Sequence, residues 1–433
     1  MGRFFFFTRM LMTLTVTLMA SLALAQTLGP STTEVKYSYR TSFQVPTDND
    51  LQDAEELASF HASHIFGIFA SKTMITNLIG SNSVIGGIGA PRSQMRIRIL
   101  SESTDGRMTT ITYSNTGKMI LHKSAARRLL AQGSLTLPLP ANPYEIYDKR
   151  CTDKHYDSIS DYWYFYDPYR RGCDYLSRAP KANPVEVRLS EINYKKLDTT
   201  PRLPQLRGNN GNGDLFSIFI ISGYYEDGSD KSDLGYENFD DIRRSFEERG
   251  FSVRSRRSAT NKPINLYRKT IEITKPNGTK KSLEVEVQHL LVDTGIEARS
   301  KTFAKFFKEA VETADVIIYG GHSGLGANLD IPSLEEKAGK FTFNPAKKQI
   351  FFFDSCSSYS YYLEHFAAEK TKAKIDVVSY GLSSYFETGT AVLFVFLDYL
   401  FMPEDTDVEW MTILKDMEKP LEGDSYLLNV GGI

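Results

Sequence analysis

The second half of the chain contains short apolar runs that alternate with segments of helical spacing. The run at 215–221 is apolar at all but one position, 236–249 has the spacing and composition of a helix, and 251–253 is a short strand. Strands that are apolar on both faces are typical of parallel sheets, whose faces are covered by helices. The succession of strand, helix and strand therefore predicts an α/β domain with a mostly parallel sheet.

The same alternation continues downstream. It predicts strands at 316–319, 349–353 and 375–379 and helices at 299–313, 359–370 and 390–401. Segment 264–292 differs, because Pro276-Asn277-Gly278 separates two arms of alternating polarity. Proline, asparagine and glycine favour a tight turn between antiparallel strands. This segment is therefore predicted to be a β-hairpin inserted into the α/β domain.

The first half of the chain has the pattern of a different domain. Residues 31–45 alternate polar and apolar side chains, and 51–78 has apolar residues at helical spacing. Two alternating arms, 95–100 and 108–113, flank Asp105-Gly106, which is a strong turn signal. These patterns predict a smaller α+β domain that precedes the α/β domain.

A stretch rich in proline, glycine and asparagine separates the two halves. It contains Pro201, Pro204 and the sequence Gly-Asn-Asn-Gly-Asn-Gly at 208–213, which neither a helix nor a sheet tolerates well. We therefore predict an N-terminal accessory domain at 26–205 and a second domain at 213–433. A chain of 433 residues is long enough for two such domains.

The first 25 residues have the pattern of a secretory signal peptide. Arg3 and Arg9 supply positive charge, an apolar run follows, and Ala23-Leu24-Ala25 is a small-x-small cleavage motif before Gln26. The run is short for a membrane span and is interrupted by threonine and serine, although a retained anchor is the alternative. We expect signal peptide 1–25 to be removed, which gives an exported, periplasmic or extracellular protein without stable membrane insertion.

Export makes the three cysteines informative, because an oxidising compartment pairs cysteines where it can. Cys151 and Cys173 are predicted to form a disulfide; the alternative is that both are free and buried. Closing the loop between them would stabilise the fold by roughly 3 kcal/mol on the chain-entropy model. Cys356 is then left without a partner, and an exported protein that keeps a free thiol needs a use for it.

The charge balance excludes one class of partner. Lysine plus arginine number 51 and aspartate plus glutamate 53, so the net charge of −2 gives no global field that attracts nucleic acid. His61 and His64 lie three residues apart on the predicted helix, a pair more typical of a core or surface than of a metal site. We expect no metal, no cofactor and no nucleic-acid partner.

Two reactive side chains each follow a strand of the predicted parallel sheet. His322 comes after the strand at 316–319, and Cys356 comes after the next one, at 349–353. Loops at the carboxyl ends of neighbouring parallel strands converge, and catalytic groups collect there. A thiol near its ordinary pKa of ~8.5 is mostly neutral at pH 7, and a neighbouring histidine lowers its pKa or takes its proton. We therefore predict that His322 and Cys356 share a cleft.

The two motifs around these residues resemble a known family. Tyr319-Gly-Gly-His322-Ser-Gly-Leu-Gly326 and Phe353-Asp-Ser-Cys356-Ser-Ser are similar to the His and Cys signatures of the caspase-like cysteine peptidases, which include clostripain, gingipain, legumain, separase and the caspases. The resemblance covers 213–433 only. It implies a caspase-like α/β sandwich that hydrolyses a protein or peptide substrate. Cys356 would attack the carbonyl, and His322 would protonate the leaving amine.

Further roles are implied by the same resemblance. Backbone N–H groups of Cys356 and Ser323 would hold the oxyanion. The family usually has glycine where this chain has Ser323, whose side chain is expected to narrow the cleft. Asp354 matches the Asp-x-Cys pattern of clostripain-like members, where the acid faces the specificity pocket and implies arginine or lysine at P1. The alternative for Asp354 is a cap on the following turn.

Other interpretations of the same residues stay open. Gly321-His-Ser323-Gly-Leu nearly matches the G-x-S-x-G elbow of serine hydrolases, although its fifth residue is leucine and only His365 follows as a base. A caspase-like fold without catalysis, acting as a binding protein, is a second alternative that Ser323 motivates. A third alternative is that neither residue is catalytic: His322 is a hydrogen-bonded histidine in a glycine-rich loop, and Cys356 is a buried structural cysteine. The main prediction is an exported cysteine endopeptidase.

Overall fold

The computed structural model describes residues 26–47, 53–71, 73–74, 76, 88–89, 95–143, 149–152, 166–173, 182–192, 199–208, 213–226, 228, 231–295, 300–371, 373–422 and 425–432. The predicted signal peptide lies outside the described residues. Within them, no helix combines the length and the apolar character needed to cross a membrane.

The described strands fall into two sheets. They are β1 (Gln26–Leu28), β2 (Thr32–Pro46), β3 (Ile88–Gly89), β4 (Arg96–Asp105), β5 (Met108–His122), β6 (Ser134–Pro140), β7 (Ala182–Glu191), β8 (Leu215–Gly223), β9 (Ser252–Arg257), β10 (Pro263–Thr274), β11 (Lys280–Val292), β12 (Val316–Gly320), β13 (Gln349–Asp354), β14 (Ile375–Tyr380) and β15 (Leu428–Gly431).

The described helices pack on these sheets. They are α1 (Ala54–Ala70), α2 (Lys123–Gln132), α3 (Leu203–Leu206), α4 (Leu234–Glu248), α5 (Lys301–Thr313), α6 (Ile331–Ala338), α7 (Glu364–Ala368), α8 (Phe386–Leu400) and α9 (Trp410–Met417), with a π-helical turn at Tyr359–Leu363 before α7.

The larger sheet has nine described strands in the order β1-β15-β14-β13-β12-β8-β11-β10-β9. The strands from β14 to β11 are parallel neighbours, whereas the pairs at both ends of the sheet are antiparallel. The predicted α/β class is confirmed. The sheet is mixed rather than mostly parallel, because parallel pairs need long crossovers and the short turn between β10 and β11 permits only antiparallel pairing.

The hairpin β10–β11 forms as predicted, but it is part of the sheet and not an insertion beside it. Strand β11 pairs in parallel with β8, and β9 is displaced to the edge. The sequences explain this order. Leu283, Val285 and Val287 of β11 are fully buried, whereas β9 is mostly polar and exposed, as an edge strand should be.

Helices cover both faces of this sheet. Helices α4, α8 and α9 pack on one face around Ile220, Ile318 and Phe352. Helices α5, α6 and α7 pack on the other face around Ile221 and Phe353. Neighbouring residues of one strand thus enter different cores, which is why these strands are apolar at nearly every position.

The second sheet has the order β3-β5-β2-β7-β6, with β4 on β5. Its pairs are antiparallel, and the predicted hairpin β4–β5 is present. His61 and His64 of α1 lie in its core, where burial lowers their pKa values to about 3 and about 4. His61 bonds to the Tyr113 hydroxyl and the Pro140 carbonyl, both at 2.7 Å, so the ring is a neutral core group.

The predicted disulfide and the predicted linker can both be located in the structure. The Sγ atoms of Cys151 and Cys173 lie 2.07 Å apart, at the distance of the predicted disulfide.

The predicted linker is packed against the larger sheet over 201–207. Helix α3 contributes to the larger core, and the Arg207 guanidinium donates to the carbonyls of Leu400 and Glu404. Strand β1, which the sequence assigned to the N-terminal domain, pairs with β15 of the larger sheet.

Candidate active site

A cavity of about 250 Å³ lies where the carboxyl ends of four parallel strands converge. It opens between the ends of β8, β12 and β13, the loop after β14, and helices α4 and α8. Ligands collect at this edge of a parallel sheet because loops from several strands meet there. Its lining includes Ser222, Tyr225, Gly320, Gly321, His322, Asp354, Cys356, Ser384, Phe386 and Gly389.

His322 is held at the rim of this cavity by its own backbone and by two aromatic rings. Its carbonyl accepts from the Tyr319 hydroxyl at 2.6 Å and from Asn328 Nδ2 at 2.8 Å. The ring packs against Tyr225 and Phe386, with centroid distances of 5.6 and 5.7 Å. These contacts fix both the loop and the plane of the imidazole.

One hydrogen bond sets the tautomer of His322. Its Nε2 lies 2.7 Å from the backbone oxygen of Tyr225. A carbonyl oxygen only accepts, so Nε2 carries the hydrogen in this bond. The neutral ring then has Nδ1 as its basic nitrogen, which is available to take a proton.

Cys356 sits on a sharp turn directly after β13. Ser357, the next residue, has a φ of 52°, in the left-handed region that costs energy for a side chain with Cβ. Ser358 holds the turn: its hydroxyl donates to the Phe353 carbonyl at 2.8 Å and accepts from the Tyr380 amide at 2.9 Å. The strain at 357 is thus kept in place by hydrogen bonds on both sides of the turn.

The thiol is neutral in this environment. Burial raises the pKa of the Cys356 thiol above its ordinary value. The sulfur lies 3.8 Å from the backbone oxygen of Ser384, to which it donates. The resting thiol is therefore mainly protonated at pH 7.

Sheet register brings His322 and Cys356 to the same level. Gly320 of β12 is paired with Asp354 of β13. His322 lies two residues after Gly320, and Cys356 lies two residues after Asp354. Adjacent strands are ~4.8 Å apart, so both side chains reach one cavity. Among the described contacts, no hydrogen bond joins the imidazole to the sulfur. Hydrogen bonds between catalytic groups are often long or poorly aligned without substrate.

Asp354 lies beside Cys356 in the same cavity. Burial raises the pKa of its carboxyl to about 7, and the Ser384 side chain bonds to it. Gly389 of α8 permits this position, because a Cβ there would lie 3.0 Å from Asp354 Oδ2. In the described contacts, the carboxylate bonds to Ser384 and not to the turn after β13, so the turn-cap interpretation gains no support.

Ser323 differs from what the family resemblance suggests. Its side chain is 6% exposed and does not line the cavity, so it does not narrow the cleft. His365 is exposed on α7 and forms no described hydrogen bond to Ser323. Among the described hydrogen bonds, the N–H of Ser323 has no acceptor, whereas the N–H of Cys356 interacts with its own sulfur.

Sequence reasoning found His322, Cys356 and Asp354 but missed Tyr225 and Ser384. Both act through backbone oxygens at the ends of β8 and β14, toward the imidazole and the thiol. Because any residue type supplies a carbonyl, no composition signal marks them. Only their place after a strand of the parallel sheet could have suggested them.

A comparison with protein-family models found no match to this chain, and a search of curated proteins also found none.

Proposed function

We propose that the protein is an exported cysteine endopeptidase of the caspase-like type that cleaves after arginine or lysine. The observation that supports this most directly is the shared cavity of His322 and Cys356, delivered by the paired strands β12 and β13. A buried acid, Asp354, lines the same cavity. The signal-peptide pattern and the Cys151–Cys173 pair are compatible with export.

The reaction begins from the protonated thiol of Cys356, with the Nε2 hydrogen of His322 bonded to the Tyr225 carbonyl. A substrate carbonyl enters between the two side chains, and Nδ1 of His322 takes the thiol proton as the sulfur attacks the carbonyl carbon. The C–S bond forms as the carbonyl π pair moves to oxygen, where backbone N–H groups stabilise the charge. The N–H of Ser323 has no described acceptor, and the N–H of Cys356 lies beside the attacking sulfur, which suits this role.

Collapse of the tetrahedral intermediate completes the first half of the reaction. The C–N bond breaks as the imidazolium returns its proton to the leaving amine, which leaves a thioester on Cys356. Water then attacks the thioester carbonyl while His322 takes its proton; the C–S bond breaks, the acyl group leaves as a carboxylic acid, and His322 returns the proton to the sulfur. The hydrogen bond that Nε2 donates to the Tyr225 carbonyl keeps the ring orientation constant through both halves.

Asp354 supports a basic residue at P1. A guanidinium or ammonium entering the cavity pairs with the carboxylate in a site where water screens little. Isoleucines at 220 and 318 also line the cavity and suit the methylene stem of a long basic side chain. An acidic P1 residue would meet a like charge.

Covalent labelling tests the proposed function directly. An arginyl peptide chloromethyl ketone is expected to alkylate Cys356 in the native protein, because the arginine places the electrophile beside the sulfur. The measurement is mass spectrometry of the peptide that contains Cys356, with residual cleavage of an arginyl reporter. An aspartyl reagent of equal length is expected to react at least about 100-fold more slowly, as expected for a P1 side chain that meets a like charge.

The Cys356→Ala variant is the matched control and should stay unlabelled while it keeps the native thermal transition. If iodoacetamide modifies Cys356 but neither peptide reagent does, the cavity is not a peptidase site. That result would favour the non-catalytic binding protein.

The pH profile isolates the role of Asp354. Its pKa is raised to about 7, so the carboxyl is protonated below that pH and cannot form an ion pair. The ratio of kcat/KM for an arginyl peptide to kcat/KM for the matching glutaminyl peptide should rise about tenfold per pH unit below pH 7 and level off above it. Dividing the two constants cancels the titration of the dyad. A ratio that does not vary with pH would remove Asp354 from P1 recognition.

A further inference from the structure

Three residues at the end of the sheet lie side by side on one face. Gly320 of β12 is paired with Ser222 of β8 on one side and with Asp354 of β13 on the other. Paired positions of parallel strands direct their side chains to the same face. Ser222 and Asp354 therefore flank Gly320, with Cα atoms roughly 9.5 Å apart across two strand spacings, and all three line the cavity.

The missing side chain of Gly320 leaves the space between them open. A Cβ built on this residue would have the Ile221 carbonyl at 3.9 Å as its nearest neighbour. Gly320 is also outside the positive-φ residues, so neither backbone conformation nor packing requires glycine there. What a side chain would occupy is the cavity itself.

Ser222 is fixed by a buried polar chain behind the cavity. Its hydroxyl lies 2.8 Å from Nε2 of His289, and the Tyr267 hydroxyl lies 3.2 Å from Nδ1 of the same ring. Asn265 Nδ2 donates to Tyr267 at 3.2 Å. The Ser222 hydroxyl has two lone pairs and makes one hydrogen bond to His289. In either tautomer of His289, at least one lone pair of Ser222 is left to accept a hydrogen bond in the cavity.

The ring behind Ser222 is uncharged. His289 is fully buried under Phe239, with a centroid distance of 4.3 Å, and burial lowers its pKa to about 3. A neutral imidazole does not repel a cation in the cavity. The proposed peptidase mechanism does not use this histidine, so the Ser222–His289 pair needs another explanation.

We propose that Gly320 and Ser222 complete the P1 subsite and make it prefer arginine to lysine. The inference rests on the proposed function and specifies its substrate. Gly320 provides the channel over which the side chain passes, and Ser222 accepts from the end that Asp354 does not bind. A guanidinium is a broad fork whose N–H groups point in several directions, so it can bridge two groups on opposite walls. An ammonium is compact and binds one wall at a time.

Variants of Gly320 test the channel. Gly320→Val should fold normally, because the space beside the residue is open, and should react with the arginyl chloromethyl ketone at least 100-fold more slowly than wild type. Alkylation of Cys356 by iodoacetamide, which has no P1 side chain, should change less than about threefold. Gly320→Ala should give an intermediate loss, which separates filling of the subsite from a folding defect.

The Ser222→Ala variant tests the preference for arginine. The rate with the arginyl reagent is expected to fall about tenfold, and the rate with the lysyl reagent at most about twofold. Ser217→Ala is the matched control, because Ser217 is also a buried serine of β8 but lies outside the cavity lining.

The outcomes distinguish the two proposals. Wild type that reacts with no peptide reagent would overturn the peptidase assignment itself. Wild type that reacts with the arginyl reagent, together with a Gly320→Val variant that reacts equally fast, would overturn the subsite and leave the peptidase intact. Equal losses for arginyl and lysyl reagents in Ser222→Ala would overturn the role of Ser222.

Discussion

Replacing His322 with alanine is expected to lower the cleavage of arginyl peptides at pH 7 by about 10³-fold or more, with the fold intact. The reason is the state of the thiol. Burial raises the pKa of Cys356, so the resting thiol is mainly protonated and needs a base before it can attack. The measurement is kcat/KM for an arginyl reporter, together with the thermal transition of each variant.

The pH dependence of this variant gives the sharper test. Without an imidazole, the nucleophile forms only by loss of the thiol proton to solvent. The rate for His322→Ala should therefore rise about tenfold per pH unit up to at least pH 9. Cys356→Ala should be inactive at every pH. If His322→Ala retained more than about a tenth of the wild-type rate at pH 7, the imidazole would not be the base.

The strands that position this dyad were predictable because they are buried on both faces. Strands β8, β12 and β13 are apolar at nearly every position, since alternate residues enter different cores. This pattern is local, so it can be recognised without knowing which strands are neighbours in the sheet. The turn residues of the β10–β11 hairpin are also a local signal and could be recognised in the same way.

Strand order was less predictable, because pairing between distant segments leaves no local signal. Strand β9 follows β8 and α4 in the chain, yet β11 and not β9 lies beside β8. In retrospect, the polar sequence of β9 suits an edge and the buried valines of β11 suit the interior. Strand β1 has three residues, too few for any periodicity, and so its pairing with β15 could not be foreseen.

The candidate site divides in a similar way. His322, Cys356 and Asp354 were found because their side-chain chemistry is distinctive and they follow apolar strands. Tyr225 and Ser384 contribute backbone oxygens. Ser222 stands out only because its hydroxyl is hydrogen-bonded to His289 on another strand. Roles of that kind depend on tertiary register, which a single sequence does not display.

Replacing Asp354 with asparagine is expected to change activity and stability in opposite directions. The loss of the ion pair should lower kcat/KM for arginyl peptides by about 100-fold, equivalent to about 2.7 kcal/mol, and abolish the preference over glutaminyl peptides. The fold should gain stability at alkaline pH. The carboxyl has a pKa of about 7 in the folded chain and an ordinary value of 3.8, so the folded state binds the proton more tightly.

The sign of the stability effect follows from this difference. Between pH 4 and pH 7 the unfolded chain releases a proton that the folded chain keeps, so ionisation of Asp354 lowers the free energy of unfolding as pH rises. Above pH 7 the wild type bears the full cost, which we expect to be about 2 kcal/mol after allowance for solvent in the cavity. The free energy of unfolding in urea at pH 5 and pH 8.5 measures it.

Asp376→Asn is the matched control at the other end of the sheet. Asp376 is fully buried, but its carboxylate is 2.6 Å from the Lys348 ammonium. Removing that carboxylate takes an ion-pair partner from a buried cation and should destabilise the protein by about 3 kcal/mol. Stabilisation of Asp354→Asn at pH 8.5, with destabilisation of Asp376→Asn, would show that Asp354 is held for a ligand at the expense of the fold. Destabilisation of both would assign Asp354 a structural role and remove it from the substrate site.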